Sequence, residues 1–142
     1  MGLVLDASAA LAWFVQRSDR REAVMAEEIL ANVERDEAVV PAMWFVEVVN
    51  GLLVAERIRR VGPSKAAHFL GELAALPIAE DRVRPSVTQG EVLTLARRHA
   101  LSAYDAVYME LSFRTNRALA TFDKQLAKAM RKAGGRVFGD AA

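Results

Sequence analysis

Four acidic residues stand where a folded chain could put them to chemical use. Asp6 directly follows the apolar run Gly2–Leu5, Glu47 lies inside an apolar helical stretch, Asp105 is three residues after Ser102, and Asp123 comes shortly after Ala118–Ala120. Each also has an ordinary structural role open to it. Asp6 and Asp123 are placed as helix N-caps, with Thr121 as an alternative cap for the last helix, and Ser102 with Asp105 has the spacing of a capping box. Glu47 is the only charged residue between Glu37 and Glu56, so if buried it needs an arginine or another strong partner. Independent caps, however, have no reason to recur beside the carboxyl ends of strands. Carboxylates gathered there would repel one another and take up protons unless a hard cation neutralised them, and an oxygen-only set points to Mg²⁺ or Mn²⁺. The expected chemistry is metal-assisted attack of water on a phosphodiester. Ser8 is placed to hydrogen-bond near Asp6, and Asn50, one turn beyond Glu47, to orient it or to touch substrate.

Other chemistries find little support. The absence of cysteine excludes disulfides, thiolate zinc sites and cysteine nucleophiles, and fits a reducing cytoplasm. His68 and His99 lack metal-ligand or nucleophile spacing, and no phosphate-cradling or dinucleotide-binding glycine motif is present. A formal net charge of +1 gives no global basic field, so a nucleic-acid partner has to be held locally. Arg57 with Arg59 and Arg60, Arg82 with Arg84, Arg97 with Arg98, and Arg131 with Lys132 are the candidate patches. Gly2–Val15 is apolar but has no basic leader and is broken by Asp6, and no other stretch suits a membrane span. A soluble cytoplasmic protein is expected.

The elements that must position these acids can be read from periodicity and punctuation. With 142 residues and 53% hydrophobic composition, the chain should form one domain over residues 1–142. Strands are predicted at Gly2–Leu5, Ala38–Val40, Leu76–Ala79, Ala118–Ala120 and Arg136–Phe138. Helices are predicted at Ser8–Val15, Arg20–Glu34, Ala42–Arg59, Ser64–Leu73, Ser86–His99, Ser102–Asn116 and Asp123–Ala133, the last stopped by Gly134 and Gly135. Tyr104, Val107, Tyr108 and Leu111 share one helical face. Trp13, Trp44, Phe45, Tyr104 and Tyr108 are read as core. Alternating strands and helices imply a parallel sheet covered on both faces, with ligands at its carboxyl edge.

The segments LVLDASAAL around Asp6, PAMWFVEVVNGL around Glu47, LSAYDAVYMELS around Asp105 and LATFDKQLAKA around Asp123 together resemble PIN-domain ribonucleases. Among these, the chain is most similar to the VapC-type toxins of toxin–antitoxin pairs. The resemblance implies an α/β/α sandwich on a central parallel sheet, and Mg²⁺ or Mn²⁺ held by Asp6, Glu47, Asp105 and Asp123. It assigns supporting roles to Ser8 and Thr121. It further implies endoribonuclease activity, RNA as substrate, a small cognate antitoxin as partner, and a homodimer. Two alternatives are a haloacid-dehalogenase-like phosphatase using Asp6 as nucleophile, which lacks the expected second Asp where Ser8 stands, and a non-catalytic regulatory module.

Overall fold

The structure, a computed structural model, describes residues 2–58 and 61–141, so Arg59 and Arg60 of the first basic patch lie outside the described residues. Among the described residues, strands β1 (Leu3–Leu5), β2 (Ala38–Val40), β3 (Ile78–Glu80) and β4 (Ala118–Ala120) form one sheet. They alternate with helices α1 (Ala7–Phe14), α2 (Arg20–Arg35), α3 (Met43–Arg57), α4 (Pro63–Ala74), α5 (Pro85–His99), α6 (Ala103–Thr115) and α7 (Lys124–Lys132). The sheet order is β3-β2-β1-β4 and each pairing is parallel, with Val4 in register with both Val39 and Leu119. Parallel neighbours cannot be joined by a tight turn, and the helices supply the crossovers. Helix α1 packs on α2 and α3, while α6 packs on α5 and against β1 and β4, giving the expected three-layer α/β/α arrangement.

Strand β1 shows why the pattern is apolar without alternation. Leu3, Val4 and Leu5 are all buried, as a central strand covered on both faces requires. Around it pack Ile29, Val33, Val48, Met109, Leu119 and Leu126. Burying an aliphatic side chain of this size contributes about 1.5–3 kcal/mol. A cross-link between helices adds direction: the Trp13 indole N–H donates to the Ala26 carbonyl at 2.9 Å, fastening α1 to α2.

Some boundaries differ from the sequence expectation. Strand β3 begins at Ile78, because Pro77 has no N–H to give to the ladder. The expected strand at Arg136–Phe138 contributes a single bridge, Val137 to Leu119 of β4. Gly134 takes φ +86° beyond the end of α7, a left-handed conformation that glycine adopts without steric cost. Tyr104 and Phe45 are not core: they are 67% and 44% exposed, Tyr104 in the first turn of α6 and Phe45 on an outward apolar face of α3 shared with Val46 and Val49.

The chain builds outward from β1 to β2 and β3, then returns to lay β4 on the other side of β1. The strand order therefore reverses between β1 and β4. In open parallel sheets the crevice at the carboxyl ends of such a pair is where ligands bind. Asp6 leaves β1 and Thr121 leaves β4 at that crevice.

Candidate active site

Asp6, Ser8, Glu47, Asn50, Asp105 and Asp123 line one open cavity of about 490 Å³ at the reversal point. Thr121 joins them through Asp6. Three helices begin here: Asp6 and Asp123 occupy the N-cap positions of α1 and α7, and Asp105 lies in the first turn of α6. Their N-terminal dipoles put partial positive charge beside the acids, which is how a protein can hold several carboxylates near one another.

The side chains reach the cavity by different means. Asp6 sits at an N-cap position but caps nothing. Its Oδ2 instead accepts from Ser8 Oγ at 2.9 Å and from Thr121 Oγ1 at 2.5 Å. Those hydroxyls are themselves held, Ser8 by the Phe122 amide at 2.9 Å and Thr121 by the Asp123 amide at 3.0 Å. The Asp6 amide donates to the Ala120 carbonyl at 3.0 Å, so the ends of β1 and β4 are stitched together through backbone and side chain alike. Asp123 does cap: its Oδ1 accepts from the amides of Gln125 and Leu126 at 3.0 and 3.1 Å, so Thr121 is not the cap. Ser102 caps α6 by accepting from the Asp105 amide at 3.2 Å.

Glu47 departs from expectation. Its helix is apolar but partly solvent-facing, and the carboxylate is half-buried rather than sunk in the core. No arginine pairs with it among the described residues; the Tyr108 hydroxyl donates to its Oε1. Tyr108 is the residue that sequence reasoning missed, having been read only as core. The available signal was a phenol one turn after Asp105 within a buried run, because a buried Tyr O–H needs a partner. Gly51 was also passed over: a Cβ there would sit 2.2 Å from Leu11 Cδ1, so glycine lets α1 and α3 close together beside Glu47. Asn50 is exposed and makes no hydrogen bond among the described residues.

The PIN-domain family model matches residues 3–132 of the chain. The chain belongs to the PIN-domain family. It is 32% identical to Ribonuclease VapC3 of Mycobacterium tuberculosis, in strains CDC 1551 / Oshkosh and ATCC 25618 / H37Rv alike, over 130 residues that cover 89% of this chain and 86% of the relative. The crystal structure of PAE2754 from Pyrobaculum aerophilum shares the fold, with a TM-score of 0.66 at 23% identity over 91% of this chain and 79% of that one.

The electrostatics of this PIN domain follow from burial. Burial raises the Asp6 pKa above the ordinary carboxylate range, and the hydroxyls of Thr121 and Ser8 pull it part of the way back. Glu47 is also raised, first by burial and then by the charges of Asp6 and Asp105, against the lowering effect of Tyr108. Asp105 is raised by burial and by Asp123 and Asp6. Among the described residues none of the four acids has a basic side chain at ion-pair distance. Nor do three acids already stand close enough together to form a finished metal cage. The donor chemistry fits a hard divalent cation, since it is all oxygen, acidic, and electrostatically uncompensated.

A larger cavity of the PIN domain, about 810 Å³, lies instead at the carboxyl ends of β2 and β3. Size is a weaker guide here than chemistry. Asp81 and Glu110, which line that cavity, are both taken up by Arg114. No helix among the described residues is long and apolar enough to cross a membrane.

Proposed function

We propose that this PIN domain is a divalent-metal-dependent endoribonuclease acting as the toxin of a type II toxin–antitoxin pair, as one nuclease domain over residues 1–142. The observation that carries the reading is the set of four uncompensated carboxylates around the β1–β4 crevice, in a chain akin to a protein named a ribonuclease. Asp6, Glu47, Asp105 and Asp123 would hold Mg²⁺ or Mn²⁺. A bound cation would supply a lowered water pKa and stabilisation of charge on the phosphate and leaving oxygens. Asp6 is tied by two hydroxyls. Ser8 and Thr121 orient it, and Asn50, exposed and without an internal partner, is free to meet the RNA. Half-buried Glu47 and Asp105, which hold protons more tightly than usual, can accept one from an attacking water.

The same reading gives the protein a small antitoxin partner, a homodimeric state and a cytoplasmic setting. The outward apolar face of α3, with Phe45, Val46 and Val49, supports an assembled rather than a solitary molecule, because soluble monomers rarely leave such a stripe open. The test of activity is purified protein incubated with RNA in Mg²⁺, in Mn²⁺ or in excess EDTA. Cleavage is expected only with metal and is lost in Asp6→Asn; undiminished cleavage in EDTA would overturn the reading.

A further inference from the structure

We propose that Tyr108 is a positioning residue for the metal site: its hydroxyl pins one oxygen of Glu47 and so presents the other to the cation. The inference rests on the metal-dependent reading above and assigns the preparation of its one helix-borne glutamate. The hydroxyl lies where three elements meet. Tyr108 belongs to α6, one turn after Asp105; Glu47 belongs to α3; and the backbone of Ala7, the residue after Asp6, is near enough to influence the phenol. The phenol has a single proton, and it is given to Glu47, whose carboxylate can only accept. The contact therefore has a fixed polarity, with Tyr108 donating and the carboxylate accepting.

Packing does not account for the oxygen. The Tyr108 side chain is 1% exposed among apolar neighbours, and a phenylalanine would fill the same space. Nor does Glu47 have another tether. Asp6 is held by two hydroxyls and Asp123 by two amides, while among the described residues Glu47 has only Tyr108, and its Oε2 has no partner. A glutamate has three side-chain torsions to order before it can ligate, so losing its single tether should weaken ligation. Partners behind a ligand commonly change metal affinity by about 10–100-fold.

The experiment is calorimetric titration of metal-free protein with Mn²⁺, comparing wild type, Tyr108→Phe, Glu47→Gln and the double variant. Tyr108→Phe should bind Mn²⁺ about 10-fold more weakly. In the Glu47→Gln background it should change the affinity by less than about 2-fold, since the group through which it acts is already altered. Glu47→Asp probes the contact without touching the core: it keeps the charge but shortens the reach to Tyr108, and should show a similar loss. A purely structural tyrosine would lower the metal-free melting temperature while leaving the Mn²⁺ affinity intact, or would lower affinity equally in both backgrounds; either result overturns the proposal. Wild type that binds Mn²⁺ and cleaves RNA, with Tyr108→Phe unchanged in affinity, defeats this inference alone. Wild type that neither binds Mn²⁺ nor cleaves RNA defeats the nuclease reading as well.

Discussion

At the β2–β3 end of the carboxyl edge, Asp81 and Glu110 grip Arg114 from two sides, with contacts of 2.6 and 2.7 Å. At the β1–β4 end, Asp6, Glu47, Asp105 and Asp123 face a cavity with no basic side chain at ion-pair distance among the described residues. The raw materials are alike and the outcomes opposite. In the first group one guanidinium offsets part of the acidic charge and hydrogen-bonds both carboxylates, and the contact ties the end of β3 to α6. In the second, burial pushes three carboxyl groups toward their protonated forms, joined by charge repulsion at Glu47 and Asp105, which is unfavourable for the bare protein near neutral pH. The same edge thus pairs its acids at one end and leaves them without a basic partner at the other.

The largest effect is expected from Asp6→Asn. If the unpaired group is the working one, this variant should lose RNA cleavage by at least about 100-fold, because it removes a charged ligand and the acceptor of two hydroxyls. Near-normal cleavage in initial-rate assays would remove Asp6 from the site. At the paired end, Arg114→Met should leave Glu110 buried without its cation and lower stability by about 2 kcal/mol, between the values for exposed and buried pairs. Urea unfolding should report that loss equally with and without Mn²⁺; an effect confined to the metal-loaded protein would mean that the two ends are not independent.

The pH dependence separates the groups further. Asp6, Glu47 and Asp105 bind protons more tightly folded than unfolded, so their stabilising contribution is fully present below the ordinary carboxylate pKa and is lost as pH rises through the raised values. Metal-free melting temperature should therefore decline over that window on this account, and saturating Mn²⁺ should offset the decline by binding the folded state. Asp105→Asn should flatten the curve and melt no lower than wild type near neutrality without metal, while losing most of the Mn²⁺ response. A steeper curve for Asp105→Asn would count against mutual repulsion. The smallest effect is expected from Thr121→Val, which removes one donor to Asp6 at a cost of about 1 kcal/mol and raises the Asp6 pKa further. The acid limb of the cleavage profile should move to higher pH; an unmoved limb would show that the hydroxyl does not act on Asp6.

Much of this was legible in the sequence because it depends on local order. An apolar triplet followed by an acid, as at Leu3–Asp6, fixes both a buried strand and the edge at which the acid emerges. Ser102 and Asp123 announce helix starts through the hydrogen bonds that they do make. What was hidden depends on pairs far apart in the chain. Nothing near Glu47 names Tyr108, 61 residues away, and nothing near Asp81 names Arg114, 33 residues away. Periodicity also misled at Tyr104 and Phe45, where an apolar residue on a helix faces outward and local spacing gives no notice of where the next layer ends.

The stitch between Thr121 and Asp6 spans 115 residues of chain. During synthesis, β1 with its acid emerges early and must wait until β4 and the start of α7 have followed before the crevice exists at all. Contacts of such sequence separation also form late in a folding reaction, since the closure entropy must be met before they contribute. A nascent chain bound to the ribosome, with RNA on every side, therefore carries its acids dispersed, and the acid site is completed only after Asp123 has been made.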